Sequence, residues 1–388
     1  MVNIIEKSFS LNLKVLNTIG LYSFGESSVV LKVRAYGLYC LCLILGTILI
    51  MINTVTEKSS NSMETNAMVS FLAETVSFCF KLLPFLRNPE RIRRCINFFG
   101  EEAFAPKTDQ EQKILDECVW ICRRNSIIYF YGILATAICW NFPVLFIEGR
   151  KLPFSLWLPY DPSSTAFNYY ITFTFVVTAS FYDSFSGTNV DPLIGGLAYH
   201  ATAQLKILKH NLQHIDKHED YTVCKCNKYI IEYHCVYKHL ERCITHHKKI
   251  LWFIDEYEEC FSWSIFCQFA GSLFAICFCC IGLILVPINS LEGFSYITFI
   301  IDISFQIFFY CHYGTLLYEE NNDLTNAIYM GPWYKYDVKI RKNLLIIMER
   351  SKRPLIITAG KVVDVTVATF VSIMKTSYSL IAVFNNYN

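Results

Sequence analysis

Charge is scarce in this sequence. Only 17% of its 388 residues are Asp, Glu, Lys or Arg, and 34 basic against 33 acidic side chains leave a net charge of +1 at pH 7. That balance excludes an acidic or basic disordered tail and leaves no surplus of positive charge for wrapping nucleic acid. Catalytic signatures are missing as well: there is no P-loop, G-x-S-x-G, H-E-x-x-H or paired-carboxylate motif, so no enzyme and no cofactor are expected. The start of the chain lacks a basic stretch followed by an apolar core and a small-residue cleavage site, so no removable signal peptide is expected. Ligand pairs at zinc-finger spacing are absent too. Cys224, Cys226, His234, Cys235, His239, Cys243, His246 and His247 cluster in sequence, but without that spacing no metal site is expected.

What is abundant is apolar side chain. Ala, Val, Ile, Leu, Met, Phe, Trp, Tyr and Cys make up 53% of the chain, with 31 Phe, 24 Tyr and 6 Trp among them. The mean hydropathy is +0.33, outside the soluble norm. Most of the 17 cysteines sit in apolar runs or basic stretches and read as reduced thiols. The hydrocarbon core of a bilayer takes about 20 apolar helical residues to cross. Seven segments meet that length: 36–55, 66–86, 127–147, 168–188, 264–287, 295–313 and 362–386. The expected fold class is therefore all-α, a polytopic membrane protein of seven transmembrane helices.

Lys and Arg are retained on the cytoplasmic side and so set orientation. The N-terminal segment and every second connection after it hold 28 of them, whereas the alternate connections hold Lys58, Arg150 and Lys151. The N-terminus is expected inside and the C-terminus outside, an inverted topology relative to G-protein-coupled receptors. The connections 191–263 and 314–354 are expected to form a cytosolic helical anchor bundle. In the first, Ile230, Tyr233, Tyr237, Leu240, Ile244, His247, Leu251 and Ile254 recur at the spacing of a helix stripe, and Leu197, Leu205, Leu208 and Leu212 extend the fourth span inward after a break at Asp191-Pro192. In the second, Ile340, Leu344, Ile347 and Met348 stripe a further helix.

Ionisable groups at membrane depth are functional candidates because each is costly there. Glu74, Lys81, Asp183, Asp302 and Lys375 qualify, although none marks the outer halves of the spans as a site for an acid or an amine. Those outer halves are rich in aromatic and small polar side chains that can enclose a small volatile apolar ligand. The candidates are Phe71, Leu72 and Thr75 in the second span, Thr136, Cys139 and Trp140 in the third, Phe173, Val177, Ser180 and Phe181 in the fourth, and Tyr296, Phe299 and Ile303 in the sixth. For each of them, ordinary interhelix packing explains the residue type equally well.

The C-terminal region carries an ordered series of short motifs. They are Tyr313-Gly314, Glu319-Glu320, Ala327-Ile328-Tyr329, Trp333-Tyr334, Arg350-Ser351, Arg353-Pro354-Leu355, Thr358-Ala359-Gly360 and Lys375 to Ser379. Leu152-Pro153-Phe154 with Trp157, Pro159 and Tyr160, and Gln204-Leu205 with Ile207-Leu208, extend the match upstream. Together they resemble the insect odorant receptor family. The chain has no room for the long insertion of the olfactory co-receptor and thus resembles a ligand-tuned subunit. The gustatory relatives are the nearest alternative and a metabotropic seven-helix receptor a more distant one.

The resemblance implies an odorant-gated, non-selective cation channel, a heterotetramer with the olfactory co-receptor, in the plasma membrane of olfactory sensory neuron dendrites and bounded by membrane lipid. It places Val383 on the apolar gate, Asn386 on the polar outer mouth and Tyr387 outermost, with Ser379 one turn deeper. Lys375 is expected off the pore axis, because a lysine in the conduit repels cations.

Overall fold

The computed structural model describes residues 4–25, 28–56, 62–146, 149–215, 228–287 and 289–387; side chains at 62–65, 228–235, 291 and 381–387 lie outside the description. The described chain is helical almost throughout. Short helices α1 (Ile4–Ser8) and α2 (Ser10–Ile19) precede α3 (Val29–Leu38), which passes through a π-helical turn, Tyr39–Ile44, into α4 (Leu45–Thr56). There follow α5 (Ser62–Arg87), α6 (Pro89–Asn97), α7 (Asp109–Asn141), α8 (Ala166–Gln213), α9 (Lys228–Leu285), α10 (Leu291–Met330) and α11 (Val338–Ser351). A two-residue hairpin, β1 (Thr358–Ala359) against β2 (Val363–Asp364), leads into α12 (Val367–Tyr387). Counting α3 with α4, seven helices have the length of a membrane crossing. Five also meet a strict hydropathy criterion; α8 and α12 are not among them.

Polar caps set where the long helices begin. Thr108 accepts from the Glu111 amide at 3.3 Å to start α7, Thr165 from Asn168 at 3.2 Å to start α8, and Ser290 from Gly293 at 3.0 Å to start α10. At 1.5 Å per residue, α9 with its 58 residues is about 87 Å long, nearly three times the hydrocarbon thickness, and α8 with 48 is about 72 Å. The excess of both forms the compact end of the molecule. There α8 is buried from Ser186 to Leu205 apart from Gly187 and Pro192, and α9 buries Val236, Leu240, Cys243, His247, Ile250, Ile254, Tyr257 and Phe261 at alternating steps of 4 and 3. This line is turned about one residue from the predicted stripe, so Tyr237, Ile244 and Leu251 flank it half-buried. Ile340, Leu344 and Ile347 of α11 pack on the same core.

The expected break at Asp191-Pro192 does not occur: α8 runs straight through. Proline in a helix interior leaves the carbonyl four residues earlier without its amide donor. Here that carbonyl belongs to Thr188, and it accepts instead from Asn12 Nδ2 on α2 at 3.3 Å. A side chain far away in sequence thus replaces the missing intrahelical bond.

Two glycines of the C-terminal motifs have steric reasons. A Cβ on Gly314 would stand 2.0 Å from the Val365 carbonyl oxygen, so only glycine lets α10 approach the hairpin. Gly360 turns the hairpin at φ 61° and donates to the Ser262 carbonyl at 2.9 Å. The Glu258 carboxylate accepts from the Thr358 amide at 2.6 Å, and Thr315 Oγ1 accepts from the Val367 amide at 2.9 Å, so α9 and α10 together fix the start of α12.

Two outcomes test this packing. Asn12→Ala should destabilise the protein by about 1–3 kcal/mol, and much of that cost should vanish in a Pro192→Ala background, where an amide at 192 reclaims the Thr188 carbonyl. Additive thermal shifts in the double mutant would refute the replacement. Separately, burial lowers His246 and His247 to about 4, well away from the membrane crossing of α9, and His247 Nε2 has no hydrogen-bond partner. A histidine depressed in the folded state adds stability above its unfolded value of about 6.5, and that stability is lost as pH falls toward 4. The loss should be on the order of 2 kcal/mol per histidine. Melting of the detergent-solubilised protein should drop steeply between pH 6.5 and 4, less so in His247→Phe; a flat profile would contradict the assignment.

Candidate functional site

Between α5, α7, α8 and α10 lies a cavity with about 690 Å³ of unfilled space, its open mouth included. The residues lining it follow the helical repeat: Phe71, Glu74 and Phe78 on α5; Tyr129, Ile133, Thr136, Ala137 and Trp140 on α7; Ser180, Asp183, Ser184, Gly187 and Asp191 on α8; Phe299, Asp302, Ile303 and Gln306 on α10. A second cavity of about 400 Å³, lined by Cys42, Gly46, Ile50, Thr75 and Val176 among others, adjoins it across Phe71, Phe154, Ser180 and Asp183.

Aromatic rings close one end. Phe154, from the segment between α7 and α8, stacks on Phe71 at 4.1 Å and on Trp140 at 5.7 Å between centroids. Trp140 is anchored by its indole N–H on the Ser295 carbonyl at 3.1 Å and meets Tyr296 edge-on. Offset and edge contacts of this kind each add about 0.5–1.5 kcal/mol beyond the burial of apolar area.

The other end is polar. The Asp191 carboxylate receives the Lys81 ammonium at 2.8 Å, the Tyr310 hydroxyl at 2.6 Å, the Tyr129 hydroxyl at 3.1 Å and the Gln306 amide. Gln268 Nε2 on α9 donates to Glu74 Oε1 at 2.6 Å and to Gln306 Oε1 at 2.9 Å. Thr136 donates to Asp302. Higher up the wall, Asn141 Nδ2 holds Ser180 Oγ at 2.9 Å.

Of the residues expected to face a ligand, Phe71, Thr136, Trp140, Ser180, Phe299 and Ile303 come together around the larger cavity and Thr75 lines the smaller. The rest do not line either. Tyr296 belongs to a small apolar cluster with Cys279 and Val286; Cys139 takes the Ser295 hydroxyl on its carbonyl; Phe173 stacks on Tyr169. Phe181 packs against Phe142 and Phe185, and Leu72 and Val177 are half-buried elsewhere.

Three of the ionisable candidates, Glu74, Asp183 and Asp302, line the cavity together with Asp191. Their alternation with apolar residues hid the face they share, which only the rotation of each helix reveals. Phe154 was legible as part of a motif but carried no signal of position.

On α12, the side chains of Val383, Asn386 and Tyr387 lie outside the described residues. Ser379 is exposed, and so is Lys375 one turn before it, so the two share a face of the helix. The opposite face packs inward, with Ser377 Oγ directed to the Leu273 carbonyl at 3.5 Å.

Among the described residues one group has the composition of a metal site, buried Cys118, Cys122 and His200. His200 Nε2 is already engaged by Ser8 Oγ at 2.9 Å, and no fourth side chain joins the three. Cys224 and Cys226 lie outside the described residues, as do the side chains of His234 and Cys235.

If the buried ion pair holds the four helices around the cavity, Lys81→Met should cost about 3–5 kcal/mol by stranding Asp191, and adding Asp191→Asn should recover part of it. Thermal unfolding in detergent reads both; a Lys81→Met protein as stable as wild type would refute that role.

The profile of the 7tm Odorant receptor family matches residues 61–378. Odorant receptor Or1 of Anopheles gambiae is 23% identical over 337 residues, which cover 83% of this chain and 80% of its own. Odorant receptor 22a of Drosophila melanogaster is 24% identical over 292 residues, 72% of this chain and 67% of its own. In structure, the chain is similar to the insect olfactory receptor OR5 from Machilis hrabei, solved alone and in complex with eugenol. The TM-scores are 0.86 and 0.85 at 15% identity, over 99% of both chains.

Proposed function

This chain belongs to the 7tm Odorant receptor family, and from that membership we propose that it is the odorant-binding subunit of a heteromeric, odorant-gated, non-selective cation channel formed with the olfactory co-receptor. The observation that carries the reading is the aromatic-capped cavity among α5, α7, α8 and α10. Its lining is that of a small-molecule site, mostly aromatic and aliphatic side chains with a few convergent polar groups. A ligand of about a dozen heavy atoms gains only about 6 kcal/mol, which means binding in the tens of micromolar and rapid reversal.

The gating route follows the hydrogen bonds. A ligand touching Phe299 and Asp302 bears on α10, and Gln306 passes the displacement to Gln268 on α9. Five residues along α9, the Leu273 carbonyl meets Ser377 of α12. Displacing α12 from the channel axis would then hydrate the apolar constriction assigned to Val383, with Asn386 and Tyr387 beyond it. Ser379 and Lys375 lie on the face of α12 left uncovered within one subunit, which suits a conduit formed between subunits. The excess of Lys and Arg in the N-terminal and alternate connections supports a cytosolic N-terminus, an extracellular C-terminus and a cytosolic anchor formed by the compact end. The expected location is the plasma membrane of olfactory neuron dendrites.

Recording from cells that express the chain with and without the co-receptor, under a panel of volatiles, tests the reading. Odorant-evoked cation currents are expected only with the co-receptor. Currents from the chain alone would favour an independent, gustatory-type channel, and G-protein-dependent signals without channel current a metabotropic receptor. In the co-expressed channel, Lys375→Met should raise cation conductance; unchanged conductance and selectivity would place the exposed face of α12 away from the pore.

A further inference from the structure

The cavity floor carries more negative groups than the fold employs. Four carboxylates reach it from three helices, Glu74 on α5, Asp183 and Asp191 on α8, and Asp302 on α10. The lysine among them, Lys81, is committed to Asp191 at 2.8 Å. Asp191 has its further donors in Tyr129, Tyr310 and Gln306, and Asp302 has Thr136. Glu74 is half served: Oε1 takes the Gln268 amide, while Oε2 is buried with no hydrogen-bond partner. Asp183 lines both cavities and accepts no hydrogen bond from any described side chain or amide.

A carboxylate in a low-dielectric site that lacks donors is costly, and two of them on one cavity repel each other. The chemistry that relieves both is a cation with several N–H donors and no acceptor. An ammonium group fits that description, with three donors and a full charge, whereas a hydroxyl offers one donor and no charge. Above the floor, the rings of Phe71, Trp140, Phe154 and Phe299 line the cavity with apolar surface.

Resting on the reading of this cavity as the odorant site, we infer that it selects small amines: a protonated nitrogen seated between Asp183 and Glu74, with an aromatic or short alkyl body against the ring stack. Esters, ketones and hydrocarbons of the same size leave both carboxyl groups unserved and bind less well. Lys81 sharpens the choice by holding Asp191 in place while repelling any cation that settles below Asp183 and Glu74.

The test compares three near-isosteric probes, 2-phenylethylamine, 2-phenylethanol and propylbenzene. Binding to the purified full-length chain with its co-receptor is followed by quenching of tryptophan emission at pH 7, and channel current is recorded in cells in parallel. The amine should bind at least about tenfold more tightly than the alcohol, and the alcohol more tightly than the hydrocarbon. Asp183→Asn should bring the amine-to-alcohol ratio toward one, and Asp183→Glu should restore it. Alcohol binding by the variant, whatever its strength, reports an intact cavity; if Asp183→Asn binds neither probe, Glu74→Gln decides on the same ratio. An amine bound no better than the alcohol, or a preference untouched by these substitutions, overturns the inference. A preference for the amine in binding without any evoked current upholds it and overturns the channel reading instead.

Discussion

A carboxylate buried among helices must have its partners brought to it, and Asp191 shows how far a fold goes to meet that requirement. Its donors come from three other helices: Lys81 from α5, Tyr129 from α7, Gln306 and Tyr310 from α10. Charge-assisted hydrogen bonds are about twice as strong as neutral ones, and removing one member of a buried set leaves the rest uncompensated. The four helices are therefore tied at one depth. Above that depth they are free to separate around a cavity; below it they close into the solid end of the molecule. The position next to Pro192 is part of the same solution. Asn12 repairs the backbone at Thr188 while Asp191 ties the same turn laterally, so α8 continues unbroken through the proline.

The compact end has a second task, which is to present α12. Past its beginning, the described part of α12 packs one face inward through Phe370, Ile373 and Met374 and leaves the other uncovered. That beginning is tied at several points: Gly314 lets α10 meet the Val365 carbonyl, Thr315 caps the Val367 amide, and Glu258 and Ser262 of α9 bind the hairpin at Thr358 and Gly360. Further along, described polar contact with the body comes down to Ser377 at 3.5 Å from the Leu273 carbonyl.

How much of this the sequence disclosed depends on the kind of constraint. Length and apolarity are local, so all seven membrane-length helices were legible. Gly314 and Gly360 stood out within motifs before their steric reasons were visible. The lining of the cavity was half legible, because residue type tells that Phe299 or Trp140 suits an apolar ligand but not which way its helix is turned. Phe173 and Phe181 have the same chemistry and face their own neighbours. What stayed hidden was non-local. No property of α8 alone predicts that a side chain on α2 will stand in for the amide of Pro192. Nor do the separated carboxyl residues of α5, α8 and α10 announce that they meet, or that Phe154 from a connecting segment closes the roof over them.

Magnitudes constrain how such a site can work a channel. Shifting a two-state equilibrium from 1:99 to 99:1 takes about 5.5 kcal/mol of differential binding, close to the whole affinity of about 6 kcal/mol available to a dozen-atom ligand. A ligand never devotes all of its affinity to one state, so under the proposed mechanism the closed arrangement is favoured by only a few kcal/mol per binding event. The described attachments of α12 are of that order: beyond its fixed start, a long hydrogen bond and one packed face, each bond contributing about 0.5–1.5 kcal/mol net. An ammonium seated on the unserved carboxyl groups adds to the available differential, because charge-assisted bonds at Glu74 bear on Gln268, the residue of α9 that also holds Gln306 of α10. Recognition and gating then draw on the same few hydrogen bonds, and a ligand that fills the aromatic half of the cavity without reaching its floor should bind without opening the channel fully.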